Sequence, residues 1–498
     1  MSATETISRR GFFNKFTPLI EDQSTTFRPL SISANLAPYS PSSAKPWNRQ
    51  RAAHLLRRTG MGAHKEAVDQ LLSQDPVAAV NQLIDEAIAE PLPPRPPWAD
   101  QPIDKAANNS QKFETQIHWF DQMRITSFRE RMAFFWSNHL VAASSGYKQA
   151  VYMYEYLTLL RTHALGNFQS FVYDIGLSAA MLHFLDGIKN KDSGPNENYA
   201  RELCELFTMG IFNEFGEPNY VQNDIAEMAR ALTGIRYDDN ALTAYVEDKL
   251  FDKGVKSFFG HTGNFGYDDV VSIIFQERPS AIAHHVSEQI YKYFVHAVPN
   301  QDVVSAMASI FLANNFEIAP VMRALFSSEH FFEEAIIGAR FKGPIELLNG
   351  LINDTGMTVQ GEAINELFDD LKRLGQELFD PPNVAGWPGY HTWMSTGSLP
   401  IRWENMTKMI NGGEGYTSLN LVPLAQQMPD PNNPSQLTRD LADYFLPQPL
   451  SESDYDILTQ VLLDGIPDYE WDISEQGTGE RLRGFLSFLV QLPEYQLT

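Results

Sequence analysis

Residues 128–140 read Phe-Arg-Glu-Arg-Met-Ala-Phe-Phe-Trp-Ser-Asn-His-Leu. Phe128, Met132, Phe135 and Leu140 recur at spacings of three to five, with Trp136 beside them, which is the period of a helix largely buried in protein. The pattern continues on both sides. From about Gln111 to Gly234 the chain is almost continuously helical in period, with Tyr152, Tyr156, Leu159 and Leu160 marking the next helix. This predicts a bundle of long helices over 111–235 at the centre of the protein. Upstream, Ala52, Ala53, Leu55 and Leu56 form an apolar face beside the basic run Arg57-Arg58, and a second helix pair extends to about Ala89. The Pro-rich stretch 90–97 reads as a stiff connector, and residues 1–45, rich in Ser, Thr and Pro, as a disordered or signal-like tail. Downstream, helical periods are predicted over Asp268–Phe275, Ile282–Val295, Val303–Asn314, Ala319–Phe332, Pro344–Asn353 and Glu362–Leu378. The period fails between Arg236 and Phe265. The fold class is therefore mainly α: one large multi-helix body over 46–498, with long loops and at most a minor β excursion around 240–260.

The formal net charge is −24, which excludes binding of nucleic acid backbone or an anionic membrane through the net field. Cys204 is the single cysteine, so an internal disulfide framework and multi-cysteine metal centres are excluded. No run approaches the ~20 apolar residues that span a bilayer. Residues 8–15, Ser-Arg-Arg-Gly-Phe-Phe-Asn-Lys, look like the head of a twin-arginine export signal, but Asn14, Lys15 and Glu21-Asp22 interrupt the apolar stretch that should follow. The expectation is export to the periplasm or beyond through a degenerate, uncleaved signal. The alternative is a chance Arg-Arg pair in a cytoplasmic protein.

Three segments can carry chemistry. In residues 192–210, Pro195 suits a first helical position with Ser193 or Gly194 as cap. Tyr199, Leu203, Leu206 and Gly210 then share one stripe, while Asn198, Glu202 and Glu205 share the opposite one, and Glu197 reaches Arg201 at i+4. Such a polar stripe can gather a hard divalent cation or supply a paired carboxylate acid and base. Spacing alone equally fits a solvated face with one ion pair. In the second segment, His139 beside Asn138 is either a ligand or proton carrier, or a core histidine satisfied by a backbone carbonyl. In the third, Leu378–Trp393, Asn383, Trp387 and Trp393 sit in a rigid Gly/Pro/Trp loop that either presents aromatic faces to a substrate or caps a helical core. No zinc, phosphate-loop, nucleophile-elbow or dinucleotide signature occurs.

Several stretches together resemble the bacterial family of domain of unknown function 1800. They are Ala52–Gly62, Arg129–His139, Pro195–Gly210, Met228–Gly234, Lys256–Asn264, Leu325–Phe332, Leu378–Trp393 and Pro493–Gln496. Phe251 departs from the family, which often has His there. The resemblance implies a largely helical, often exported protein. Its genes often neighbour those for domain of unknown function 1501, which resembles sulfatases and alkaline phosphatases and is the implied partner.

Two functions compete. One is a hydrolase in which Glu202, Glu205, Arg201 and His139 converge under the 380–393 loop, with or without a hard cation, and Asn198, Asn383, Trp387 and Trp393 hold the substrate. The other is a non-catalytic exported scaffold or binding protein for a phosphatase-like partner or a surface polysaccharide. The hydrolase reading expects Glu202 and Glu205 to be largely buried, with at least one touching Arg201, His139 or a cation.

Overall fold

The computed structural model describes residues 35–125, 128–413 and 415–498. The twin-arginine-like stretch lies outside the described residues.

The aromatic segment forms the helix Phe128–His139, and every residue from Phe128 to Ser137 is buried. Three consecutive charged residues inside such a helix need partners. Each finds them in a different segment. The Arg129 guanidinium donates to the carbonyls of Glu90 (2.7 Å) and Pro91 (3.0 Å), which pins the Pro-rich connector. Glu130 accepts from Arg161 Nε (2.9 Å) on the helix Ala150–Thr162, and Arg131 pairs with Glu346 on the helix Pro344–Thr355. Further along, Trp136 stacks on Phe168 and donates from Nε1 to the Ala164 carbonyl (2.9 Å).

Around this axis the chain is mostly helical, and one continuous hydrophobic cluster runs from Tyr39 to Tyr495. The helices Pro279–Phe294 and Gln301–Ala313 form a tightly packed pair. The β excursion is two small antiparallel hairpins, Ile235–Asp238 with Thr243–Val246 and Lys256–Phe258 with His261–Gly263. Lys256, at the start of the second hairpin, is buried, its ammonium 4.3 Å from the centre of the Phe251 ring. Among the described residues no helix is long and apolar enough to cross a membrane.

Several boundaries differ from the periodic reading. The helix expected over Ala319–Phe332 stops at Phe326. There the Ser328 hydroxyl donates to the Leu325 carbonyl (2.6 Å) and accepts from Phe331 N–H (3.1 Å), competing with the next helical turn. The helix expected to reach Leu378 ends at Arg373, before Gly375 at φ 84°. Residues 35–45, expected as tail, pack instead: Tyr39 is buried, its N–H donates to the Ser327 carbonyl (2.7 Å), and Pro38 bridges Ser328.

The basic run Arg57-Arg58 is not a surface feature. Both side chains are buried on the helix Arg49–Thr59. Arg57 donates to the carbonyls of Tyr444 (2.8 Å) and Leu446 (3.2 Å), and Arg58 to Ile336 O (3.1 Å) and Thr498 O (2.8 Å). The first described helix thus holds the last segments of the chain in place.

Candidate functional site

Asn138 leaves the buried helix pointing at the loop that follows Leu378. Its Oδ1 accepts from Trp387 N–H (2.6 Å) and its Nδ2 donates to the Trp387 carbonyl (3.2 Å). Gly386, at φ 80°, makes this approach possible, because a Cβ there would collide with Asn138. The loop is therefore clipped at one point, and Trp387 is turned inward, only 5% exposed. Beneath it opens a cavity of about 350 Å³, within the range of small-molecule sites.

One wall is aromatic: Phe134, Phe135, Tyr293, Phe341, Trp387, Tyr390 and Trp393. The polar groups of the lining are Asn138, His139, His285, Gln289, Lys292, Arg340, Glu346 and Gln376, with Leu206, Val384 and Pro388 among the small apolar remainder. Two buried polar atoms on the aromatic side, Trp387 Nε1 and the Tyr293 hydroxyl, have no hydrogen-bond partner among the described residues.

The histidines are placed by a local irregularity. The helix Asn198–Glu202 widens into a π-helix over Leu203–Thr208, and the N–H groups of Met209 and Gly210 both reach back to the Cys204 carbonyl (3.1 and 3.0 Å). That leaves the Leu206 and Phe207 carbonyls without helical donors. His285 Nε2 lies 3.2 Å from the first and His139 Nε2 3.0 Å from the second. A carbonyl only accepts, so both imidazoles carry their proton on Nε2 and keep Nδ1 as an acceptor. The two rings are 6.0 Å apart. Burial, and then the neighbouring His285, lower the His139 pKa to about 3, and burial lowers His285 as well.

Glu346 is the one carboxylate among the cavity-lining residues. Burial alone would raise its pKa, but Arg131, Arg340 and the Gly343 N–H (2.7 Å) outweigh burial and hold it at about 2. Both guanidinium groups also lie near the Tyr293 ring, 4.9 and 5.1 Å from its centre.

Of the residues singled out in the sequence, His139, Trp387 and Trp393 meet at this cavity. Glu202, Glu205, Arg201, Asn198 and Asn383 do not line it. Arg201 donates to Glu197 (2.8 Å), as its i+4 spacing predicts, and to Gln222 (3.1 Å). Glu205 accepts from the Tyr220 hydroxyl (3.0 Å), and burial followed by Glu205 raises the pKa of Glu202. Both glutamates are half-buried rather than largely buried, and among the described residues neither is hydrogen-bonded to Arg201 or His139. The reason is local. The helix begins at Asn198, with Pro195 left in the lead-in, and its apolar stripe faces the core while the acidic stripe turns toward Tyr220. Asn198 is exposed, and Asn383 Oδ1 closes its own turn on Ala385 N–H (2.8 Å). Among the described residues no three His, Cys, Asp or Glu side chains gather as a metal site would require. The periodic reading missed Arg340, Glu346 and Gln289. Arg131 was the available signal, since a charge inside an aromatic helix demands a buried partner.

The family described as protein of unknown function DUF1800 matches residues 54–497. No curated protein and no solved structure matches the chain.

Proposed function

The chain belongs to the DUF1800 family, and we propose that it is a carbohydrate-binding protein whose site is the cavity under the 378–393 loop. The observation that carries this reading is the composition of the wall. Flat rings from Trp387, Tyr390, Trp393 and Phe341 face a rim of amide, imidazole and guanidinium groups. Aromatic faces take the C–H side of a sugar ring, and side-chain donors and acceptors take its hydroxyls.

Binding fits the electrostatics better than hydrolysis does. A general acid or base works best with a pKa near the working pH. In this cavity Glu346 is held ionised by two arginines, and His139 is held neutral by burial. The hydrolase reading would rest on Glu202 and Glu205, which lie off the cavity, with or without a divalent cation. Export, and a partner resembling domain of unknown function 1501, belong to the same proposal: a saccharide-binding chain outside the cytoplasm would hold polymer beside a hydrolase.

Titrating the intrinsic tryptophan fluorescence with a panel of soluble oligosaccharides tests the reading, with the mixtures assayed for new reducing ends. We expect saturable quenching by at least one saccharide and no cleavage. Cleavage by the chain alone would contradict it.

A further inference from the structure

We infer that the sugar unit taken by this cavity is acidic, and that Arg340 receives its oxyanion. The inference rests on the carbohydrate reading above and is carried by the charge geometry at the inner end of the cavity. Arg58, Arg131 and Arg340 lie close enough to interact, all around Glu346. Glu346 is already committed: Oε1 pairs with Arg131, and Oε2 accepts from Gly343 N–H (2.7 Å). Arg340 reaches it only at the long distance of 3.5 Å, from Nη1. Arg131 and Arg340 thus share one carboxylate, and Arg58, bonded to the Ile336 and Thr498 oxygens, adds a third buried guanidinium beside them, in a chain that is acidic as a whole.

Arg58 and Arg131 are sealed, with no exposed surface, and Arg58 Nε and Nη1 have no hydrogen-bond partner among the described residues. Arg340 keeps 11% of its side-chain surface and lines the cavity. It is therefore the member of the cluster that a ligand can reach. Lys292 lines the same cavity but is paired with Glu288. A buried surplus of positive charge is unfavourable unless an anion joins it. A planar guanidinium fork suits a carboxylate or another flat pair of oxyanion oxygens. The shared chemistry is thus a sugar bearing a singly charged oxyanion, either the carboxylate of a uronate or the sulfate ester of a sulfated residue. Trp387 and Trp393 on the wall supply the ring contact.

The test uses the full chain and three sets of saccharides matched in length: neutral, uronate-containing and sulfate-bearing. Calorimetric affinities should favour one acidic set over the neutral set by at least tenfold, and which acidic set wins identifies the oxyanion. Arg340→Gln should reduce that preference to less than twofold, chiefly by weakening the acidic sets. Arg340→Lys, which keeps the charge and loses the fork, should retain part of the preference. If Arg340→Gln does not fold, the wild-type ratio and the lysine variant still decide. Neutral and acidic sugars binding equally would overturn this inference and leave the carbohydrate reading standing. No binding by any set would overturn both.

Discussion

His139 shows how one side chain is assigned. Its Nε2 proton goes to the Phe207 carbonyl (3.0 Å), so the ring serves as a cap for the π-helix while Nδ1 remains an acceptor. A neutral, half-buried imidazole has a consequence for stability. An unfolded histidine takes up its proton near pH 6.5, whereas folded His139 resists until about 3. Between those values the unfolded chain binds more protons, so stability is complete above pH 6.5 and drains as pH falls toward 3. At pH 5 this residue alone should cost about 2 kcal/mol relative to pH 8. Urea melts of wild type and His139→Gln at the two pH values measure the difference, and an equal pH response in both would refute the assignment. Glu130, fully buried between Arg161 and Arg129, gives a second case. Glu130→Gln should lose about 3–5 kcal/mol, because it leaves the buried Arg161 guanidinium without its carboxylate. A loss under ~1 kcal/mol would show that the triad is solvated. The importance of Arg129, Glu130 and Arg131 was readable from their place in an apolar period, but their partners, up to 215 positions away, were not.

At the scale of elements, periodicity located most helices and failed where tertiary contacts changed the hydrogen bonding. The sequence Leu203–Thr208 has an ordinary helical stripe, with Leu203, Cys204 and Phe207 buried. Nothing local marks it as a π-helix, because the groups that satisfy its released carbonyls, on His139 and His285, come from other helices. The Gly/Pro/Trp loop was legible as rigid and aromatic, and it caps the core on one side and lines the cavity on the other. Trp387 seals the core near Phe134, while Trp393 and Tyr390 face the cavity. Its geometry depends on Gly386. Gly386→Ala should destabilise the protein by about 1–3 kcal/mol, since the side chain meets both a positive φ and Asn138. It should also weaken saccharide binding, as the clip to Asn138 opens. Unchanged melting and unchanged binding would mean that the loop is not held this way.

At the scale of the whole molecule, the first described helix fastens the last segments through hydrogen bonds that Arg57 and Arg58 donate to carbonyl oxygens, so both ends of the matched region belong to one core. Export remains a proposal about residues 8–15. Changing Arg9 and Arg10 to Lys should shift a tagged protein toward the cytoplasmic fraction, and an unchanged distribution would retire it. The fold class followed from period alone, whereas the site did not. Spacing put carboxylates on one helix face at Glu202 and Glu205, but only packing decides that this face turns toward Tyr220 while Leu206 and the histidines reach the cavity. The central claim is that function resides in the cavity and not on that acidic stripe. Calorimetric titration of the best saccharide from the panel into wild type, Trp393→Ala and a Glu202→Gln/Glu205→Gln double variant tests it directly. Trp393→Ala should lose at least tenfold in affinity while the double variant binds as wild type does. Loss of binding in the double variant with Trp393→Ala unaffected would contradict the account.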